Sequence, residues 1–263
     1  MSPVKPLAMI LHASGTNRDQ EVARALDEAG AQAEIVHLNA IRRGERSLSE
    51  AQMLILPGGF SYGDALGAGR LLALDLQTTF ADALKDFIAS GKPVLGICNG
   101  FQALVKADLL PGWPDKPRAA SLVANHTGRF ECRWVTLSAD PTSVCRWTRD
   151  LREPIACPVA HGEGRFVLAD PADLDRLRAN GQIALTYADG TNPNGSIGDI
   201  AGICNPAGNV LGLMPHPEDH IYDWQHPSYD RTAARDQADQ RQGHGAGRRL
   251  FEAGLAFLTE KGF

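Results

Sequence analysis

The chain has 263 residues, a formal net charge of −5 and 43% hydrophobic residues, enough apolar content for a sizeable core and too much for a disordered chain. Its pI near 5.9 argues against nucleic acid as a main partner, because phosphate binding needs a basic face. No apolar run reaches the ~18 residues that a membrane span needs.

The N-terminal stretch "MSPVKPLAMILHASG" lacks the layout of a signal peptide, and "LAMILHA" (Leu7 to Ala13) reads as a first strand. "GTNRDQEVARALDEAG" then reads as an amphipathic helix, with Asn17 or Asp19 as its cap and Gly30 as its stop. "AEIVHL" (Ala33 to Leu38) and "AQMLILPGG" (Ala51 to Gly59) are strand-like, the second with a breaker immediately after it. "TTFADALKDFIASG" (Thr78 to Gly91) places Phe80, Leu84, Phe87 and Ile88 on one helix face. "KPVLGI" is the next strand and "NGFQALVKADLL" the next helix.

Strands apolar on both faces, alternating with helices, imply an α/β fold: a flavodoxin-like open parallel sheet flanked by helices. In such sheets the loops at the carboxyl ends of the strands carry the chemistry, here His12 to Arg18, Pro57 to Gly69 and Cys98 to Gly100. From about Ser121 the strands shorten: "FECRWVTL", "IACPVA", "RFVLA", "IALTYA", "DIAGICN" and "NVLGLMP", with turn signals such as "ADGTNPNGS" between several of them. This reads as an antiparallel β extension of the same domain, so 1–263 is expected to be one domain. The polar segment 219–247 reads as a solvated excursion before the last helix, with a partner-contact segment as the alternative.

The cysteines are Cys98, Cys132, Cys145, Cys157 and Cys204. An odd count without a C-x-x-C pair fits a reduced, cytoplasmic protein rather than a disulfide framework or zinc ribbon. Most free cysteines pack as small hydrophobes. Cys98 is different, because Gly96-Ile97-Cys98-Asn99-Gly100 stands where a strand passes into a helix. A sharp strand–turn–helix presents its central side chain at the sheet edge, as in the G-x-S-x-G elbow. The helix N-terminus that follows favours negative charge on the sulfur. Taken alone, the motif leaves a buried structural cysteine open.

A thiol nucleophile needs a base and a group that orients the base. "LGLMPHPEDH" (Leu211 to His220) supplies both: His216 is pinned between two prolines, and Glu218 lies two residues on, on the same side of an extended backbone. Seven other histidines lack that combination. "LPGGFSYGD" (Leu56 to Asp64) turns on two glycines that let N–H groups approach a substrate, so Gly59 and Asn99 are the natural oxyanion-hole donors. A phosphate cradle is the other reading of a glycine-rich loop, but no Walker pattern occurs in the chain.

Pro57-Gly58-Gly59, "GICNGFQ" and Pro215-His216-Pro217-Glu218 resemble, in order and spacing, the signatures of class I (triad-type) glutamine amidotransferases. "GTNRD", "GGFSYGDALGAGRLLA", "TGRFECRW" and "AHGEGRF" resemble more narrowly the glutaminase subunits of phosphoribosylformylglycinamidine synthases. The resemblance implies that Cys98 attacks the side-chain amide of glutamine, forms a γ-glutamyl thioester and releases ammonia, with His216 as acid/base and Glu218 as its orienter. It implies that Gln102 and the backbone of Gly162 and Glu163 hold the glutamine, although "HGEG" also reads as an ordinary tight turn. It implies a large synthetase subunit, with a small bridging subunit in many bacterial systems, that carries ATP and Mg²⁺, leaving this subunit without a cofactor or metal of its own. The chain departs from the pattern at Asp219, where the family often has arginine, and in the length of the excursion after it. Competing readings are another class I glutaminase subunit, a DJ-1/PfpI-like cysteine hydrolase and a catalytically dead binding subunit.

Overall fold

The structure is a computed structural model that describes residues 5–229 and 243–261. Among the described residues eleven strands form, nine of them in one sheet: β1 (Leu7–His12), β2 (Gln32–His37), β3 (Met53–Leu56), β4 (Val94–Ile97), β5 (Ala120–Val123), β6 (Glu131–Ala139), β7 (Ile155–His161), β8 (Arg165–Leu168), β9 (Ile183–Tyr187), β10 (Ile200–Cys204) and β11 (Val210–Leu213). The main sheet runs β2-β1-β3-β4-β11-β10-β9-β6-β7. Its first five strands are parallel, in the flavodoxin-like order, and the remaining pairs are antiparallel. The expected sheet and extension are both present, with two corrections. "NVLGLMP" does not belong to the extension. As β11 it is buried at every residue and lies parallel to β4. "RFVLA" leaves the main sheet: among the described residues β8 pairs with β5 in a separate two-stranded ribbon.

Among the described residues the helices are α1 (Asp19–Ala29), α2 (Leu38–Arg42), α3 (Arg70–Gln77), α4 (Ala81–Ala89), α5 (Asn99–Lys106), α6 (Asp173–Ala179) and α7 (Arg248–Lys261). α1 packs on α7, and α3 packs on α4 and α5. Gly30 ends α1 in the left-handed region, as expected. Its start differs: neither Asn17 nor Asp19 caps it. Arg18 occupies the cap position, and Asp19 is the first helical residue, where its carboxylate accepts from His12 Nδ1 at 2.6 Å. Its other oxygen accepts from the Gln20 N–H at 3.1 Å in the first turn. In α4 the face of Leu84 and Phe87 is buried, Phe80 is buried just ahead of it, and Ile88 is half-buried.

The 219–247 excursion is described only at its ends, and residues 230–242 lie outside the described residues. A bridge between Tyr222 and His244 closes the described part.

Candidate active site

Cys98 stands between β4 and α5 with φ 49° and ψ −103°, a conformation that costs a residue bearing a Cβ about 1–3 kcal/mol. The surroundings impose it. Cys98 N–H donates to Leu213 O on β11 at 2.8 Å. A Cβ on Gly100 would lie 2.0 Å from Leu56 O, and one on Gly96 would lie 2.5 Å from Leu104 Cδ1. Glycine at these two positions lets α5 start hard against the end of β3, which leaves Cys98 at the carboxyl edge of the sheet.

β11 ends beside that point, and its continuation carries His216. Glu218 Oε1 accepts from His216 Nδ1 at 2.7 Å, which leaves the Nε2 side of the ring facing away from the carboxylate. The contact forms differently from the extended arrangement expected, because Pro217–Asp219 makes a 3-10 turn that brings Glu218 back under the ring. His216 Nε2 and Glu218 Oε2 are buried without hydrogen-bond partners. Gly58 marks where the two halves converge: a Cβ there would lie 2.8 Å from His216 Cε1 and 3.5 Å from Cys98 Cβ. Burial disfavours a charged His216, but the charges of Glu218 and Cys98 outweigh it and raise the imidazole pKa well above its ordinary value. His161 shows the opposite balance. Burial first, then the charge of His216, push it down to about 4.

The Pro57–Gly69 loop closes the other side. Gly59 has φ 130°, and a Cβ there would lie 2.6 Å from Asn17 N. Phe60 N–H donates to Gly15 O at 3.0 Å, so the loop after β1 braces the loop after β3. Among the described residues, neither the Gly59 nor the Asn99 N–H donates a hydrogen bond; Asn99 follows Cys98 directly, and Gly59 follows Gly58, whose added Cβ would lie 3.5 Å from Cys98 Cβ.

Gln102 Nε2 donates to Glu163 O at 2.7 Å, and Gln102 Oε1 accepts from Asn99 Nδ2 at 3.1 Å. The structure therefore brings Gln102 and Glu163 together, with the Gln102 amide bridging α5 and the turn from Gly162 to Gly164. That turn joins β7 to β8, as its tight-turn reading has it. Asn125 holds it: Asn125 N–H donates to Gly162 O at 2.9 Å, and Asn125 Oδ1 accepts from Gly164 N at 3.0 Å.

Sequence reasoning gave Asn99 a backbone role only. Its side chain does more, accepting from Ser61 Oγ at 2.5 Å and donating to Asp64 Oδ1 at 2.8 Å. The signal was available, because Asn99 and Gln102 lie three residues apart on one helix face. Arg18 was also missed. It forms an ion pair with Asp219, and its Cγ would lie 3.3 Å from a Cβ on Gly58. Burial first, then Glu218, push the Asp219 carboxyl up to about 6 against the pull of Arg18 and His216.

The model of the CobB/CobQ-like glutamine amidotransferase domain matches residues 5–258. The chain is 51% identical over 242 residues to the phosphoribosylformylglycinamidine synthase subunit PurQ of Treponema denticola, covering 83% of this chain and 89% of the relative. It is 41% identical over 246 residues to the protein of the same name from Dehalococcoides mccartyi, covering 91% and 94%. The chain belongs to the PurQ family of glutamine amidotransferases. A PurLQS structure from Thermotoga maritima matches with TM-score 0.74 and 31% identity, covering 97% of this chain and 100% of that one. The glutaminase domain of a Trypanosoma brucei CTPS, with acivicin bound, matches at TM-score 0.54 and 14% identity, a likeness of fold alone. PurQ membership disfavours both a DJ-1/PfpI-like hydrolase and another amidotransferase's glutaminase subunit. Within this family the chain has Asp219 paired to Arg18 after its P-H-P-E motif.

Proposed function

We propose that this chain is the glutaminase subunit of a phosphoribosylformylglycinamidine synthase and hydrolyses glutamine through Cys98. The observation that carries the mechanism is the strained elbow at Cys98, with the buried His216–Glu218 pair converging on it over Gly58. Cys98 Sγ attacks the amide carbon of glutamine, and the thiol proton passes to His216. The negative oxygen that forms is received by the Gly59 and Asn99 N–H groups. Breaking the C–N bond sends the His216 proton to the nitrogen, so ammonia leaves and a γ-glutamyl thioester remains. Water, deprotonated by His216, then attacks the thioester and releases glutamate and the thiol. Gln102 and the turn bearing Gly162 and Glu163 hold the amino-acid end of the substrate.

Ammonium is not a nucleophile, so the ammonia must reach its acceptor before water protonates it. We assign the acceptor step, conversion of formylglycinamide ribonucleotide to formylglycinamidine ribonucleotide, to a large synthetase subunit in the cytoplasm. That subunit binds ATP and Mg²⁺, and a small bridging subunit joins the complex. Support comes from the PurQ names of the relatives and from the PurLQS likeness.

Cys98→Ala should abolish glutamine-dependent synthesis by the complex and spare ammonia-dependent synthesis. Loss of both, or of neither, would remove Cys98 from the role. Treatment with 6-diazo-5-oxo-norleucine should add mass at Cys98 and not at Cys132, the exposed thiol.

A further inference from the structure

α5 carries a third polar residue on the stripe of Asn99 and Gln102. Lys106 follows Gln102 by four residues and so lies on the same face. Its Nζ is buried without a hydrogen-bond partner, and burial pushes its pKa down although the charges of Glu163 and Asp64 favour the ammonium. It lies at one wall of a cleft of about 690 Å³ between α3 and α5. Arg70 and Arg118 line the same cleft, and among the described residues neither they nor Lys106 enter an ion pair. The one carboxylate in the lining, on Asp108, accepts from the backbone N–H of Arg118 at 2.6 Å. A chain with a net charge of −5 thus concentrates three unpaired cations in one cleft. The rim is apolar: Leu66 is 76% exposed and Leu74 52% exposed.

Unpaired cations beside exposed leucines suit a protein surface that presents carboxylates among apolar side chains. A free small anion would leave the leucines in water. The cleft is contiguous with the glutamine site, because a Cβ on Gly69, next to Arg70, would lie 3.1 Å from Gln102 Cβ and 3.1 Å from Asn99 O. Ammonia released at Cys98 must pass directly to its acceptor, so the synthetase has to sit against this part of the molecule.

We propose that the α3/α5 cleft docks an acidic, apolar-edged segment of the synthetase subunit, with partner carboxylates pairing with the exposed Arg70 and Arg118 and the rim leucines covered. The proposal rests on the synthetase reading above. Because Lys106 shares a helix face with Gln102, docking bears directly on the residue that bridges α5 to the turn at Glu163.

The test is surface plasmon resonance of the full chain over the immobilised cognate synthetase, across a range of salt concentrations. Arg70→Glu/Arg118→Glu should weaken binding at least ~10-fold, chiefly through slower association, and flatten its salt dependence. Leu74→Asp should weaken binding and leave the salt dependence in place. Unchanged melting curves verify that the variants are folded. Wild-type affinity and salt dependence in the double variant would overturn the docking site alone. Failure of the wild-type chain to bind the synthetase would overturn the synthetase reading and the docking site with it.

Discussion

His216 is 3% exposed, and burial by itself would keep its imidazole neutral. Glu218, 1% exposed and bonded to Nδ1, reverses that balance together with Cys98. A raised pKa in the folded state stabilises the fold fully below about pH 6.5, the unfolded value, and the contribution is lost as pH rises through the folded value. Denaturation of the wild type across pH should show this loss on the alkaline side. Glu218→Gln leaves burial as the main influence on the ring, and the alkaline loss should disappear. Equal pH slopes in the two proteins would separate Glu218 from the charge of His216. In catalysis Glu218→Ala should slow deamidation less than His216→Ala, because an orienting group can be partly replaced and a proton acceptor cannot. Equal rate losses would contradict that ranking.

At the scale of elements, the site is a meeting of loops, and Arg18–Asp219 is the tie between two of them. The loop after β1 braces Gly59 through Gly15 and Asn17, while the turn after β11 carries His216 and Glu218. Arg18 belongs to the first and Asp219 to the second, so the ion pair sets the turn bearing His216 relative to the loop bearing Gly59. Arg18→Asp and Asp219→Arg should each lower kcat for glutamine by about 10-fold, by misplacing the reacting groups. The double variant Arg18→Asp/Asp219→Arg should recover most of that loss. No recovery would mean that the two residues act separately.

At the scale of the whole molecule, the sheet brings distant parts of the chain together. β11 is added beside β4, with Leu213 opposite Ile97, and this pairing delivers His216 to Cys98. Asn209 sets where β11 begins. Its Nδ2 donates to Ile88 O and Lys92 O at 2.9 Å each, next to the start of β4, and Trp147 Nε1 donates to its carbonyl at 3.2 Å. Asn209→Ala would leave two carbonyls without this donor and should lower stability by about 2–3 kcal/mol, read by urea denaturation. A loss below ~0.5 kcal/mol, the usual range for substitutions that disturb nothing, would show that β11 is placed by its apolar residues alone.

Local patterns in the sequence determined the parallel strands β1 to β4, the stop of α1 at Gly30, the elbow at Cys98 and the His216–Glu218 pair. Each depends on neighbours in the chain: apolar runs, a glycine at a helix end, small residues around a turn, a carboxylate two residues from a histidine. Tertiary structure alone decided what depends on distant partners. Nothing local to "NVLGLMP" says that it will lie parallel to β4 on one side and antiparallel to β10 on the other, since a short apolar run suits either kind of pairing. Nothing local to Asp19 says that one oxygen of its carboxylate will go to His12 while the other takes a first-turn N–H. β5 was missed in the sequence, and among the described residues it is placed by pairing with β8. Arg18 is a charged residue in a polar loop until the fold sets it against Asp219 and Gly58, and Lys106 is an ordinary helix-end cation until the fold buries its ammonium. Short-range periodicity and turn chemistry are written residue by residue, whereas a contact between distant residues exists only once the sheet has closed the space between them.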